Sequence, residues 1–383
     1  MQDMIKRHLA DQVRRLLKGY PAVALLGARQ TGKTTLAKTL STAYYDLELE
    51  QEKLRLDLQW EEVVKAKGLV ILDEAQHFPE IFPRIRSAID AERKKNGRFL
   101  ILGSVSPGLM RQVSEALTGR VALTELCTFS IQELRPRDVD DVWLAGGFPD
   151  GGVLEKGKFP GWQKNYLELL AMRDLPAWGM PAKPSTTTRF FRMIASSHGS
   201  TWNASMIGKS MGVSYHTVNT YLDYLEQAFL IRRLAPYAAN IRKRLVKSPK
   251  IYWRDSGLLH ALLNVSRKED LLAQPWVGAS WEGWVIEQIL TALNNRGVEF
   301  EAFFLRTSDG NELDLILMIR GAIWAVEVKL ASTIDKRDVD RLNKTADMIG
   351  AHKRVIISRT RQTLKGSNMI VADVRGALEE LPS

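Results

Sequence analysis

Eight residues near the N-terminus, Gly27-Ala28-Arg29-Gln30-Thr31-Gly32-Lys33-Thr34, satisfy every specified position of the glycine-flanked loop that surrounds phosphate groups. In such a loop the backbone N–H groups, together with those of the helix that follows, converge on an anion. Lys33 is then placed to reach β and γ oxygens, and the Thr34 hydroxyl to ligate Mg²⁺. The binding run extends through Thr35. A second acidic feature completes the chemistry. Leu69-Val70-Ile71-Leu72 is an apolar strand that delivers two adjacent acids, Asp73 and Glu74, to the carboxyl edge of a sheet, where ligands bind. Asp73 is expected to hold Mg²⁺ directly or through water, and Glu74 to polarise the attacking water. The cofactors implied are ATP and Mg²⁺.

Two further residues belong to this chemistry as expectations. Ser104 follows the strand Phe99–Leu102 and stands where a polar side chain would meet the γ-phosphate or the water. Arg120, in Thr118-Gly119-Arg120, is the candidate for an arginine finger reaching the nucleotide of a neighbouring subunit, with Arg84 and Arg86 as substitutes.

These groups need a scaffold that aims them at one edge. Apolar positions Met4, Ile5, Leu9, Val13, Leu16 and Leu17 recur at helical spacing over residues 3–18, and Gly19 and Pro21 stop that helix. Ala22–Leu26 reads as a strand running straight into the loop, and Lys33–Leu40 resumes helical character. Strands at 69–72 and 99–102 each follow a polar helical segment. Strands separated by helices predict an α/β fold with a parallel sheet. After about residue 145 the turn-rich Gly146-Gly147-Phe148-Pro149 and Gly151-Gly152 mark a junction, followed by helical stretches near 162–178 and 187–198. A second junction falls around 264–280. The expected domains are a P-loop α/β domain (1–150), a helical and winged-helix domain (151–265) and a C-terminal α/β domain (266–383).

A chain of 383 residues exceeds one ordinary domain, in keeping with that division. With 45% hydrophobic and 26% charged residues it has globular composition, and no stretch has the apolar length of a membrane span. The segment Met1–Tyr20 carries Lys6, Arg7, Arg14, Arg15 and Lys18 and lacks the apolar core and cleavage site of a signal peptide. Its single cysteine, Cys127, rules out an intrachain disulfide framework and cannot alone build a cysteine zinc site. A cytoplasmic setting is expected. The formal net charge of +10 favours a polyanionic partner such as nucleic acid.

Gly27 to Thr35, Leu72-Asp73-Glu74-Ala75-Gln76, Gly103-Ser104, Thr118-Gly119-Arg120 and Gly146-Gly147-Phe148-Pro149 together resemble a prokaryotic family of AAA+ superfamily ATPases with a C-terminal domain of unknown function. The likeness continues through Arg244-Leu245-Val246-Lys247-Ser248-Pro249-Lys250-Ile251-Tyr252 and Asp255-Ser256-Gly257-Leu258-Leu259 and spans nearly the whole chain. It implies a shared architecture. Ser104 stands where many AAA+ motors carry asparagine.

In the middle of the chain, Ala204–Ser210, a turn at Met211-Gly212-Val213, Ser214 as N-cap and a helix through Tyr215, Val218, Tyr221, Leu222 and Leu225 have helix-turn-helix proportions. Used on DNA, the second helix would present Tyr215, His216, Asn219 and Thr220, and the strand Phe229–Leu234 would form a wing carrying Arg232 and Arg233. Used as a packing module, the same elements would contact protein. Arg242, Lys243, Arg244, Lys247 and Lys250 fall within one decapeptide without an acid, a run able to neutralise phosphates or simply to stand solvated.

The C-terminal segment reads as a hairpin, Asn311–Leu317 then Ile323–Lys329 around Gly321. Asp314, Glu327 and Lys329, with Glu282 from a preceding helix, resemble the restriction-endonuclease-like PD-(D/E)xK core. Alternation puts Glu327 and Lys329 on one face, where Asp314, Glu327 and Glu282 could hold Mg²⁺ and Lys329 could orient water; Glu287 competes for the helix position. The same core could instead grip DNA without cutting. The leading expectation is a homo-oligomeric ring, a hexamer, that hydrolyses ATP to move along or remodel duplex or branched DNA. The alternatives are a metal-dependent nuclease regulated by its ATPase and a nucleotide-switched protein scaffold.

Overall fold

The computed structural model describes residues 5–103, 113, 115–134, 139–155, 157–237 and 246–383. They divide into two compact units: Met1–Phe129 with Ala177–Met180 and Gln227–Phe229, and Ser130–Pro176 with Pro181–Glu226 and Leu230–Ser383.

The first unit is built on β1 (Ala22–Leu26), β2 (Tyr44–Asp46), β3 (Val70–Asp73), β4 (Phe99–Leu102) and β5 (Val121–Glu125). Their order is β2-β3-β4-β1-β5, all parallel. The α/β reading of this region is thus the observed one. A strand buried on both faces must be apolar at every position, and β1, β3 and β4 are buried throughout. Alternation then sends Ala22, Ala24 and Leu26 into one core with Leu56, Ile81, Phe82 and Ile85. Val23 and Leu25 enter the other, with Leu9, Val13 and Leu36. The helix Leu9–Gly19 buries Leu9, Ala10 and Val13 on this second face, and Lys33–Lys38 starts directly from the loop after β1. The three-residue β2 is too short to stand out in the sequence, and β5 alternates between buried and more exposed positions instead of running apolar throughout; sheet pairing defines both.

In the second unit, β6 (Ser200–Thr201), β7 (Ile231–Pro236), β8 (Lys250–Trp253), β9 (Phe300–Arg306), β10 (Glu312–Ile319), β11 (Ala322–Val328), β12 (Lys353–Ile357), β13 (Leu364–Lys365) and β14 (Met369–Ala372) form one nine-stranded sheet. Its order is β13-β14-β12-β11-β10-β9-β7-β8-β6. Residues on both sides of the expected 264–280 junction share this sheet, because β7 pairs in parallel with β9 through Ala235–Phe303 and Pro236–Phe304.

The glycine-rich junction around residue 146 docks inside the second unit. Asp255 caps the helix Ser256–Leu262, accepting from Leu258 N at 3.0 Å and from Gly147 N at 2.8 Å. A Cβ on Gly146 would lie 2.2 Å from Asp255 Oδ1, and one on Gly257 would lie 2.0 Å from the Ala145 carbonyl. Only glycine permits this approach. Burial raises the Asp255 carboxyl to about 6 although it accepts backbone hydrogen bonds from Gly147 and Leu258.

Two buried histidines lie in the same unit. His260 Nδ1 faces the Leu144 carbonyl at 2.8 Å and Nε2 the Ser280 hydroxyl at 2.7 Å. Nδ1 of His198 accepts from Trp253 N at 3.0 Å. Burial lowers His260 to about 4 and His198 to about 3. Below the ordinary histidine pKa the unfolded chain takes up protons that these folded rings refuse, so stability is lost as pH falls from about 6.5 toward 4. Asp255 acts oppositely between its ordinary pKa and about 6, gaining stability as pH falls, but one carboxyl opposes two rings with larger shifts. Melting temperature should therefore fall between pH 7 and pH 5, and His260→Gln should flatten that slope; a flat wild-type profile would contradict neutral burial of the rings.

Candidate functional site

Gly27 leaves β1 with φ +146, where a Cβ would meet the Leu126 carbonyl at 2.4 Å, so this position demands glycine. The loop turns through Gln30 (φ 62) and Gly32 (φ 92) into the helix Lys33–Lys38. Ala28 and Thr31 are buried, Arg29 is half-buried, and Gln30 and Thr35 are exposed. The Thr31 hydroxyl donates to Ala28 O at 3.0 Å. Lys33 Nζ donates to the carbonyls of Gly27 (2.9 Å) and Ala28 (2.8 Å). Burial lowers its pKa to about 8, with Glu74 and Asp73 pulling the other way. A charged phosphate chain supplies the counter-charge that the buried ammonium needs.

Across β4, the Thr34 hydroxyl donates to Asp73 Oδ2 at 2.6 Å. Tyr44, on β2, donates its hydroxyl to the same oxygen at 2.9 Å, while Asp73 Oδ1 accepts from Glu74 N at 2.9 Å. Burial and then the Asp73 carboxylate push the Tyr44 phenol upward, keeping it a donor. A hydroxyl and a carboxylate in contact at the end of a parallel sheet form the donor pair that a nucleotide-bound Mg²⁺ takes from such a loop, so the residues fit that ion. Glu74 has a left-handed backbone (φ 48) and its carboxylate accepts from the Gln76 side-chain amide. Lys33, Thr34, Asp73 and Glu74 are thus brought together.

Three contributors escaped the sequence reading. Arg7 is buried, donating to the loop carbonyl of Thr31 at 2.7 Å and to Cys127 O at 2.6 Å, with its guanidinium 4.3 Å from the centre of the Phe129 ring. Tyr44 and Gln76 are the others. Gln76 belongs to the run Leu72-Asp73-Glu74-Ala75-Gln76 that carries the family resemblance, which gave it no role; nothing in the sequence marks Arg7 for this site. Ser104 lies outside the described residues. Arg120 grips Asp90 of its own chain through two hydrogen bonds of 2.9 Å. Arg84 pairs with Asp57 and covers Trp60, whereas Arg86 is exposed.

In the second unit the helices Ala204–Met211 and Tyr215–Gln227 meet at Gly212 (φ 73), and Ser214 Oγ caps the second by accepting from Thr217 N at 3.1 Å. Val218, Tyr221, Leu222 and Leu225 face the interior; Tyr215, His216 and Thr220 are exposed, and Asn219 accepts from Trp202 Nε1 at 2.8 Å. Several expected phosphate contacts need correction. Arg232 is held by Glu287, Arg233 by Asp223 and Glu226, and Lys250, only 3% exposed, by Glu282 (2.9 Å) and Glu312 (2.8 Å). Strand pairing turns these cations toward acids of the unit itself. Lys247 is exposed; Arg242, Lys243 and Arg244 lie outside the described residues.

Glu282, on the helix Val277–Arg296, Asp314 on β10, and Glu327 and Lys329 at the end of β11 gather in one cluster. Helix, three antiparallel strands, helix Lys336–Met348 and the parallel strand β12 follow in that order. Lys329 Nζ donates to Glu327 at 2.6 Å, and Val328 N to Asp314 Oδ2 at 2.8 Å. Burial, then Glu282 and Glu327, raise the Asp314 carboxyl well above its usual range. Burial also raises Glu327, against the pull of Lys329. Lys250 is raised, its acids outweighing its burial. The competing Glu287 is clamped by Arg232 and Arg254, whose charges overcome burial and lower its pKa. Among the described residues no three His, Cys, Asp or Glu side chains are arranged to hold a metal, and no helix is long and apolar enough to cross a membrane.

The first unit therefore defines a Walker-type nucleotide-binding domain of the AAA class: an AAA domain family matches residues 19–135. Two domains of unknown function, DUF8612 and DUF4143, match residues 136–269 and 277–375. The uncharacterized proteins Mb2031c of Mycobacterium bovis and Rv2008c of Mycobacterium tuberculosis are each 36% identical over 333 residues, 86% of this chain and 74% of theirs. The chain belongs to their family, and in it an AAA domain is followed by a DUF4143 domain. Among solved structures, the Walker-type ATPase PABY2304 of Pyrococcus abyssi is similar with a TM-score of 0.49 at 17% identity, covering 68% of this chain and 97% of that one.

If Arg7 braces the phosphate loop, Arg7→Ala should weaken binding of a fluorescent ATP analogue by ~1–3 kcal/mol, the usual cost of stranding buried polar partners. Tyr44→Phe should cost about 1 kcal/mol in Mg²⁺–nucleotide affinity and nothing in magnesium-free titrations. Equal losses with and without Mg²⁺ would remove Tyr44 from the acid's support.

Proposed function

We propose that this protein is an ATP-hydrolysing AAA+ machine that engages duplex or branched DNA and uses turnover to move along it or remodel it. The observation that carries the ATPase part is the convergence of buried Lys33, the Thr34–Asp73 contact and Glu74 at one sheet edge. In this reading Thr34 and Asp73 hold Mg²⁺, which shields the phosphate charge. Lys33 follows the β and γ oxygens, and Glu74, once its carboxylate leaves Gln76, takes the proton of the attacking water.

The DNA part rests on less: the overall charge of +10, the exposed Tyr215, His216 and Thr220 in the first half of a capped second helix, and exposed Lys247 in a basic run of the sequence. The helices with β6, β7 and β8 are read as a winged helix whose second helix enters the groove. Assembly as a homo-hexameric ring in the cytoplasm belongs to the same reading. Since Arg120 is engaged by Asp90, a finger role requires that pair to open on assembly. A metal-dependent nuclease is favoured by the gathering of Glu282, Asp314, Glu327 and Lys329, and opposed by the ion pairs that already engage two of those acids.

ATP turnover measured alone and with duplex, forked and four-way DNA tests this directly. Lys33→Ala should abolish turnover. Glu74→Gln should lower it by ~100-fold or more while ATP is still bound, as expected for loss of a base. DNA should stimulate the wild type; turnover indifferent to all three substrates would leave an ATPase and remove DNA from the proposal.

A further inference from the structure

The C-terminal acidic cluster contains one residue that the restriction-endonuclease-like pattern does not include. Lys250 enters from β8, where strand alternation puts it on the same face as Tyr252, and both side chains reach Glu282. Its Nζ lies 2.9 Å from Glu282 Oε1 and 2.8 Å from Glu312 Oε1, and 5.6 Å from the centre of the Phe304 ring. The ammonium is thus enclosed by two carboxylates and an aromatic face, and the lysine is 3% exposed. One oxygen of each remaining carboxylate has a donor as well: Val328 N for Asp314 Oδ2 and Lys329 Nζ for Glu327 Oε1.

A divalent ion bound by Glu282, Asp314 and Glu327 would share Glu282 with this ammonium. The two like charges would repel across the shared carboxylate, the more strongly because the ion carries two charges and the site excludes water. Such an ion would also have to displace hydrogen bonds from the buried Asp314 and Glu327 and compete for Glu282, leaving Glu312 as the acid paired with the buried Lys250 ammonium. The described residues accordingly offer no three-acid arrangement for a metal. The metal that the endonuclease-like pattern implies does not fit this site.

We infer that the Lys250 ammonium, held by Glu282 and Glu312, is the resident cation of the cluster and supplies the counter-charge that a divalent metal would otherwise bring, and that the C-terminal core is a metal-independent brace that does not cut DNA. It ties three elements, β8, the helix Val277–Arg296 and β10, through one charge. The inference is separate from the ATPase reading and stands or falls without it.

The test uses the nucleotide-free full chain titrated with Mn²⁺ by electron paramagnetic resonance, comparing wild type with Glu327→Gln, and a supercoiled-plasmid nicking assay on both. Any Mn²⁺ held at the phosphate loop is common to the two and cancels. Equal Mn²⁺ uptake and no Glu327-dependent nicking are expected. Lys250→Met should gain about one Mn²⁺ per chain, and Lys250→Met combined with Glu327→Gln should lose it. Wild-type uptake of one ion that Glu327→Gln loses, or nicking that Glu327→Gln abolishes, would overturn the inference; so would a folded Lys250→Met that takes up no additional ion. Should Lys250→Met fail to fold, the wild-type comparison still decides.

Discussion

The parallel pairing of β1 and β3 on either side of β4 is the constraint on which the nucleotide site depends. Thr34 starts a helix and Asp73 ends a strand, and they lie far apart in the chain, yet a 2.6 Å hydrogen bond joins them. Only strands running in the same direction deliver their carboxyl ends to a common edge. That direction is maintained by apolar residues on both faces of each strand, so the two hydrophobic cores of this unit are what keep a hydroxyl, an ammonium and two carboxylates within reach of one phosphate chain.

Around that edge the structure adds restraints of a different kind. Asp73 is fixed through both oxygens, by Thr34 and Tyr44 on one and by the Glu74 amide on the other. Arg7, donated from just ahead of the first helix, fastens the loop from behind through Thr31. Glu74 has a strained backbone and a side chain held by Gln76. A carboxylate that is positioned but restrained can be released by a change of conformation.

What the sequence made legible follows from locality. The loop, its acids and the strands beneath them are short-range patterns with fixed spacing, and the turn at Gly212 with its Ser214 cap is equally local. Arg7 and Tyr44 were hidden because their roles depend on tertiary approach, with Arg7 meeting residues from both the loop and the far end of β5. The basic residues show the reverse error. Arg232, Arg233 and Lys250 look like solvated cations in a linear reading, and only the β7–β8 pairing and the two helices Tyr215–Gln227 and Val277–Arg296 reveal the acids they face. Charge in a sequence has no direction until the strand that carries it has a register.

The seam between β7 and β9 has an implication for where the chain can be divided. Two families of unknown function meet between residues 269 and 277, as though separate modules had been joined there. Backbone hydrogen bonds cross that seam at Tyr237 N to Phe304 O (2.7 Å) and Val246 N to Arg306 O (3.0 Å). Pieces that complete each other's strand edges cannot be shuffled freely among unrelated proteins without baring those edges to aggregation. The boundary between the two family matches is therefore not a physical boundary: cutting the chain there would strip β7 and β9 of the edges they give each other.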